Sequence, residues 1–265
     1  MRFLSCMLFV LSAQLVSGQT PVLFDGGIVN GVTYAVGQPV APGSIASIFG
    51  SDLAASLAQA DTVPLSTSLA DISVTMNDIP APLFFVSSGQ INVQVPWNVL
   101  ADGVDSGAAT VVVTRSGTAS VARSVQIAPV SPAIFTVMPN GVGNAIAINS
   151  DGTIAAPINA IPGVISHPAR VGDALVLLAT GLGAVSPKVA NGANAMDQLR
   201  NTVLTPVLLV GGQSAQILFS GLSPSFTGVN QINAVVPAGV SGPAIPIQLQ
   251  IGGITTSDQV TIAVQ

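Results

Sequence analysis

One short stretch occurs twice in this chain and constrains its fold more than any other feature. Gly89-Gln90-Ile91-Asn92-Val93-Gln94-Val95-Pro96 returns as Asn230-Gln231-Ile232-Asn233-Ala234-Val235-Val236-Pro237. Ile91, Val93 and Val95 alternate with Asn92 and Gln94, the period of two that sends successive side chains of a β-strand to opposite faces. The pattern predicts a strand with its aliphatic side chains on a core and its amides toward solvent. Each copy stops at a proline, which has no N–H for a ladder and so suits a strand end. The second copy keeps Ile232, Ala234 and Val236 inward, but Val235 replaces outward Gln94, so its outer face is less polar.

Two more landmarks repeat in the same order. Pro21-Val22-Leu23-Phe24 is answered by Pro132-Ala133-Ile134-Phe135, and Gly43-Ser44-Ile45-Ala46-Ser47-Ile48 by Gly172-Asp173-Ala174-Leu175-Val176-Leu177. The offset grows from 111 (21 to 132) through 129 (43 to 172) to 141 (91 to 232), which places extra residues of the second copy in loops between shared strands. A chain of this length holds one large or two ordinary domains of roughly 100–150 residues, and the repeat decides for two.

The first copy reads as short strands at Val32 to Ala35, Ser44 to Phe49, Ile72 to Met76, Leu83 to Val86, Ile91 to Val95, Thr110 to Thr114 and Ser120 to Ile127. Turn residues separate them, among them Asp25-Gly26-Gly27, Asn77-Asp78 and Ser116-Gly117. The second copy reads as strands near Ala145 to Asn149, Ala174 to Ala179, Thr205 to Val210, Ala215 to Phe219, Ile232 to Val236, Ile245 to Ile251 and Ser257 to Val264. Seven short strands per copy predict an all-β chain of two tandem immunoglobulin-like sandwiches. Helical signals are confined to a turn or two at Leu53 to Ala60 and a short turn within Asn191 to Arg200. Ala128-Pro129-Val130-Ser131-Pro132 is the expected junction, giving sandwiches at 19–128 and 129–265, and so short a proline-stiffened path restricts their relative orientation.

Residues 1–18 read as a secretory signal: Arg2, an apolar run from Phe3 through Val16, and small residues before cleavage ahead of Gln19. The run is shorter than the roughly 20 apolar residues that span a bilayer, and no later run is long enough either. The expected location is therefore secreted or extracytoplasmic, in a periplasm or at a cell surface. Cys6, the only cysteine, leaves with the signal, so neither a disulfide nor a cysteine metal site is expected. All 11 acidic residues are Asp, and losing Arg2 leaves 6 − 1 = 5 basic ones. Five scattered cations cannot neutralise a run of phosphates, which argues against a nucleic-acid partner.

Here the residues carry a family resemblance. Pro42-Gly43-Ser44-Ile45-Ala46-Ser47-Ile48-Phe49-Gly50-Ser51-Asp52-Leu53, then Ile79-Pro80-Ala81-Pro82-Leu83-Phe84-Phe85-Val86-Ser87-Ser88-Gly89-Gln90-Ile91-Asn92, resembles the uncharacterised C-terminal domain family of secreted acidobacterial proteins. More distantly it is similar to IPT/TIG immunoglobulin-like modules. Ala179-Thr180-Gly181-Leu182-Gly183-Ala184-Val185 and Asn230-Gln231-Ile232-Asn233 extend the resemblance over nearly the whole mature chain. It implies the fold and secretion, and assigns no catalytic residues.

Motifs with chemistry are few. Asp105-Ser106-Gly107 matches the loop of an aspartic protease, but two such loops must share a proton and the second copy has Gly239-Val240-Ser241-Gly242 instead. His167, the sole histidine, has no Gly-x-Ser-x-Gly elbow to serve and reads as a solvated loop residue. One histidine without cysteine cannot build a zinc site. Asn149-Ser150-Asp151-Gly152 and Asp102-Gly103-Val104-Asp105 are the only calcium candidates, and turn formation explains both. No glycine run makes a phosphate loop. No cofactor and no enzyme activity are expected.

The expected function is a secreted, non-enzymatic module for protein interaction, adhesion or spacing, with an unknown extracellular protein or surface polymer as partner. The rival is a carbohydrate-binding module, which stacks sugars on exposed aromatic rings. Of Phe24, Tyr34, Phe49, Phe84, Phe85, Trp97, Phe135, Phe219 and Phe226, most fall at core-like positions. Trp97 and one of the pair Phe84 and Phe85 are the candidate ligand contacts.

Overall fold

The computed structural model describes residues 19–139, 141–257 and 259–265; the signal expected over 1–18 lies outside the described residues. The chain is all-β, and among the described residues there is no helix. The first half contains β1 (Val22–Asn30), β2 (Ile45–Ser51), β3 (Ile72–Met76), β4 (Leu83–Val86), β5 (Gln90–Gln94), β6 (Gly107–Arg115) and β7 (Arg123–Ile127). One sheet runs β1-β2-β5-β4, and the other places β6 between β3 and β7. The second half contains β8 (Ala133–Ile134), β9 (Ala174–Thr180), β10 (Val207–Val210), β11 (Gln213–Leu222), β12 (Asn230–Val235), β13 (Gly242–Ile251) and β14 (Val260–Val264). Its ladder runs β8-β9-β12-β11 and continues β10-β13-β14, because β11 is long enough to leave one layer and enter the other. In the first half that passage is interrupted at Ala81-Pro82, where proline cannot continue the ladder.

The duplication is carried into the register of the ladders. Leu23 faces Gly50, Ala46 faces Val93 and Ile72 faces Arg115 in the first half. The matching pairs in the second are Ile134 with Ala179, Leu175 with Ala234 and Val207 with Gln250. A slip of one residue would turn a strand's core side chains outward, so shared register means shared core positions. Even an irregularity recurs. The pairing shifts between Leu83 and Phe85 opposite β5, and between Ile217 and Phe219 opposite β12, making Phe84 and Leu218 equivalent extra residues of a bulge.

Buried aliphatic side chains fall into two large clusters. The first includes Ile48, Ile72, Met76, Leu83 and Ile91, and the second Ile134, Ile232, Ile247, Leu249 and Ile262. Each such side chain contributes roughly 1.5–3 kcal/mol on removal from water. Strand pairing among the described residues stays within each half.

Four expectations are corrected. Val32 to Ala35 is a turn with Tyr34 at φ 54°, and the edge strand is β1. Asp25-Gly26-Gly27 does not end that strand: it lies in a register shift between Leu23 and Ile28, so a cluster typical of turns sits inside a bulged strand. Leu53 to Ala60 forms no helical turn and supplies the short ladder Ala58–Gln59 on the edge of β4. Most consequential, Gln94 does not face solvent. It is fully buried, because the outer end of β5 meets the second half of the chain.

Candidate functional site

Beyond the end of β5 the chain passes Val95 and Pro96 and turns into the segment from Trp97 to Asp105. The Trp97 ring lies on Gly43, where a Cβ would come within 2.1 Å of the indole carbons. Only glycine leaves room there. The same ring packs with Val185, Val189, Ala195 and Leu222 of the second half. Trp97 is thus a plug between the two sandwiches, and its indole N–H is buried without a hydrogen-bond partner.

A finger of the second half, Ala190-Asn191-Gly192, completes the junction. Its Gly192 N–H donates to Gln94 Oε1 at 2.6 Å, and the Gly192 carbonyl accepts from Leu65 N–H at 2.9 Å and Thr227 Oγ1 at 3.1 Å. Asn191 Oδ1 accepts the Trp97 backbone N–H at 2.8 Å, and Asn191 Nδ2 donates to Asn98 Oδ1 at 2.9 Å. Closer to the linker, Asn30 Nδ2 donates to the Ser131 carbonyl at 3.0 Å, and Ile45 N–H donates to buried Thr180 Oγ1 at 3.2 Å. Apart from the exposed Asn191–Asn98 bond, these bonds satisfy polar groups that the junction removes from water wholly or in part, and a fully buried one left unpaired would cost about 1–3 kcal/mol.

Beside the finger lies an open cleft of about 720 Å³ between the halves. One wall is Trp97, Asn98, Leu100, Asp102, Val104 and Asp105; the other is Val185, Lys188, Val189, Asn191, Val203 and Leu204. Val104, Val203 and Leu204 are exposed there despite being aliphatic. The ion pairs among the described residues lie elsewhere, at Arg123–Asp25, His167–Asp151 and Arg200–Asp197, and Asp102, Asp105 and Lys188 take part in none of them. Arg200 braces the second wall. It is buried, is held by Asp197 at 2.9 Å and donates to the Lys188 carbonyl at 3.3 Å. The hydrogen bond from Arg200 holds the Asp197 carboxyl well below its ordinary range and raises the guanidinium in turn.

The three predicted contacts are not brought together. All are half-buried, and only Trp97 lines the cleft. The end of the Phe84 ring approaches Gly228 of the second half, and Phe85 sits opposite Asn92 in the first sheet. The exposed aromatics among the described residues are instead Phe24 at 51% and Phe226 at 57% exposure, which corrects the expectation that only Trp97 and one of the phenylalanine pair face out. The polar cleft residues Asn98, Lys188 and Asn191 escaped sequence reasoning. One signal was available: the offset rises from 129 at β2 and β9 to 135 at β3 and β10 (72 to 207), so 135 − 129 = 6 of the second copy's extra residues fall in the connection holding the finger.

His167 is not merely solvated. Its Nδ1 lies 2.9 Å from the Pro168 carbonyl and its Nε2 2.8 Å from Asp151 Oδ2. Both nitrogens face acceptors, so the Pro168 carbonyl first and Asp151 second raise its pKa. Asp151 is held low by Thr153 and then by His167. Among the described residues its hydrogen-bond partners are a carbonyl and a carboxylate, neither of them a hydroxyl or thiol.

No family model matches the sequence, and no curated protein matches it. Among solved structures, the Bacteroides ovatus mixed-linkage glucan utilization locus protein SGBP-B, in complex with a mixed-linkage heptasaccharide, matches 94% of this chain at 14% identity and TM-score 0.36. The match covers 48% of that protein, so the chain spans about half its length. The titin I9–I11 tandem matches over 93% of this chain and 67% of its own at 11% identity and TM-score 0.21. Domains 5–6 of the S-layer protein SbsC match over 92% and 98% at 11% identity and TM-score 0.25.

Proposed function

We propose that this chain is a non-enzymatic interaction and spacing module that works outside the cytoplasm, with its two sandwiches held in one orientation. The carrying observation is the Ala190-Asn191-Gly192 finger, whose hydrogen bonds to Gln94, Leu65, Trp97 and Asn98 tie the second half to the first. Loosely linked modules search space, whereas a clamped pair sets a fixed distance and angle between whatever its ends contact. The export signal expected over residues 1–18 and the scarcity of charge support the extracytoplasmic location. The engagement of the sole histidine, whose Nε2 meets Asp151 and whose Nδ1 meets the Pro168 carbonyl, supports a non-enzymatic role. Backbone NMR relaxation tests the reading. Equal rotational correlation times for residues 19–128 and 129–265 are expected, and separate values for the two halves would overturn it.

A further inference from the structure

We propose that the cleft between the sandwiches binds a short neutral oligosaccharide. Its volume of about 720 Å³ lies within the roughly 300–1,000 Å³ of small-ligand sites. The lining combines two chemistries. Trp97, Val203 and Leu204 offer ring and aliphatic surface, while Asp102, Asp105 and Lys188 offer charged groups with no ion-pair partner among the described residues. Asn98 spends its carbonyl oxygen on Asn191 and keeps its NH₂ for another acceptor.

Each alternative ligand class leaves part of this lining unsatisfied. A purely apolar molecule would strip water from Asp102, Asp105 and Lys188 and return no hydrogen bond. A phosphorylated or acidic one would face two carboxylates against a single ammonium, and a metal cation would leave Trp97, Val203 and Leu204 unused. A neutral sugar meets both kinds of surface. Its C–H face lies on the indole and the aliphatic side chains, its hydroxyls donate to Asp102 and Asp105, and its oxygens accept from Lys188 and Asn98. The site rests on the fixed orientation proposed above, because its walls come from different halves of the chain.

Trp97 is the only tryptophan, so its emission reports on the cleft directly. The full exported chain is titrated with neutral hexasaccharides of β-glucan, α-glucan, mannan and galactan, and with hexagalacturonate as the acidic counterpart. At least one neutral hexamer is expected to give a saturable change. Asp105→Ala and Lys188→Ala, both at exposed positions, should each weaken it about tenfold or more, as truncation of a ligand-desolvated charge does. Trp97→Ala, followed by calorimetry, should abolish it. Binding unchanged by Asp105→Ala and Lys188→Ala would overturn the site, as would tighter binding of hexagalacturonate. Failure of every neutral hexamer in a chain whose halves share one correlation time overturns the saccharide reading and leaves the rigid module standing. Separate correlation times, by contrast, overturn the rigid module, and saccharide binding in such a chain would place the site elsewhere.

Discussion

Replacing Gly192 with alanine tests the finger at its tip. Gly192 has φ +80°, and a Cβ there would lie 2.8 Å from the Leu65 carbonyl oxygen and 3.2 Å from the Leu65 nitrogen. Both are backbone atoms, so relief means withdrawing the finger. The left-handed conformation costs a non-glycine residue about 1–3 kcal/mol. Withdrawal adds the bonds to Gln94 and Leu65, at about 1 kcal/mol net each. Together these predict a loss of about 3–5 kcal/mol of stabilisation at the junction. Gly253 supplies the control, since it too has φ +80° but a Cβ there meets nothing within 4 Å. Gly253→Ala therefore carries the backbone term without the collision. Urea unfolding followed by far-UV circular dichroism, with Trp97 emission in parallel, separates the two. Gly192→Ala should red-shift the emission in native buffer as the indole loses its cover of Val185 and Leu222, while Gly253→Ala leaves it in place. Equal stability losses in the two variants, with unshifted emission, would refute the docking argument.

Ile91 is fully buried in the first core, and Ile91→Asp should cost that sandwich about 3–5 kcal/mol by burying an unpaired charge. Melting and proteolysis should show residues 129–265 surviving, and loss of both halves together would mark one cooperative unit. The His167–Asp151 clasp sets a pH window. His167 is raised above its ordinary 6.5, so its contribution is fully present below that value and is lost as pH rises through the folded-state pKa. Asp151 is lowered from 3.8, so its contribution is present above that value and is lost as pH falls through the folded-state pKa. The clasp is strongest between those ordinary values; NMR titration should give His167 a lower pKa in Asp151→Asn, and an unchanged pKa would remove Asp151 as a cause. Finally, intact mass of the exported protein should show a chain beginning at Gln19, and an envelope species retaining Met1 to Gly18 would refute cleavage.

The sequence by itself determined the all-β class, most strands and the duplication, because these depend on local patterns. Alternation in Ile91-Asn92-Val93 speaks of one strand and one face, and equivalent residues of the two copies pair in the same register although the loops between their strands differ in length. Local reading failed where a local cue had a nonlocal setting. Asp25-Gly26-Gly27 carries turn chemistry yet lies inside β1, since its strand partner β2 tolerates a bulge there. Only the tertiary structure decided what the amide face of β5 meets. Gln94 has the same alternation as Asn92, but its neighbour in space is Gly192, 98 residues away, and burial there turns a solvent-facing amide into a clamp. The cleft has the same origin: Trp97, Asp102 and Asp105 share a wall by chain proximity, whereas Lys188, Val203 and Leu204 reach them only through the packing of one sandwich on the other. Side-chain periodicity encodes which face of a strand is apolar; which surface covers the other face depends on contacts between distant segments, and a single sequence carries no periodic trace of those.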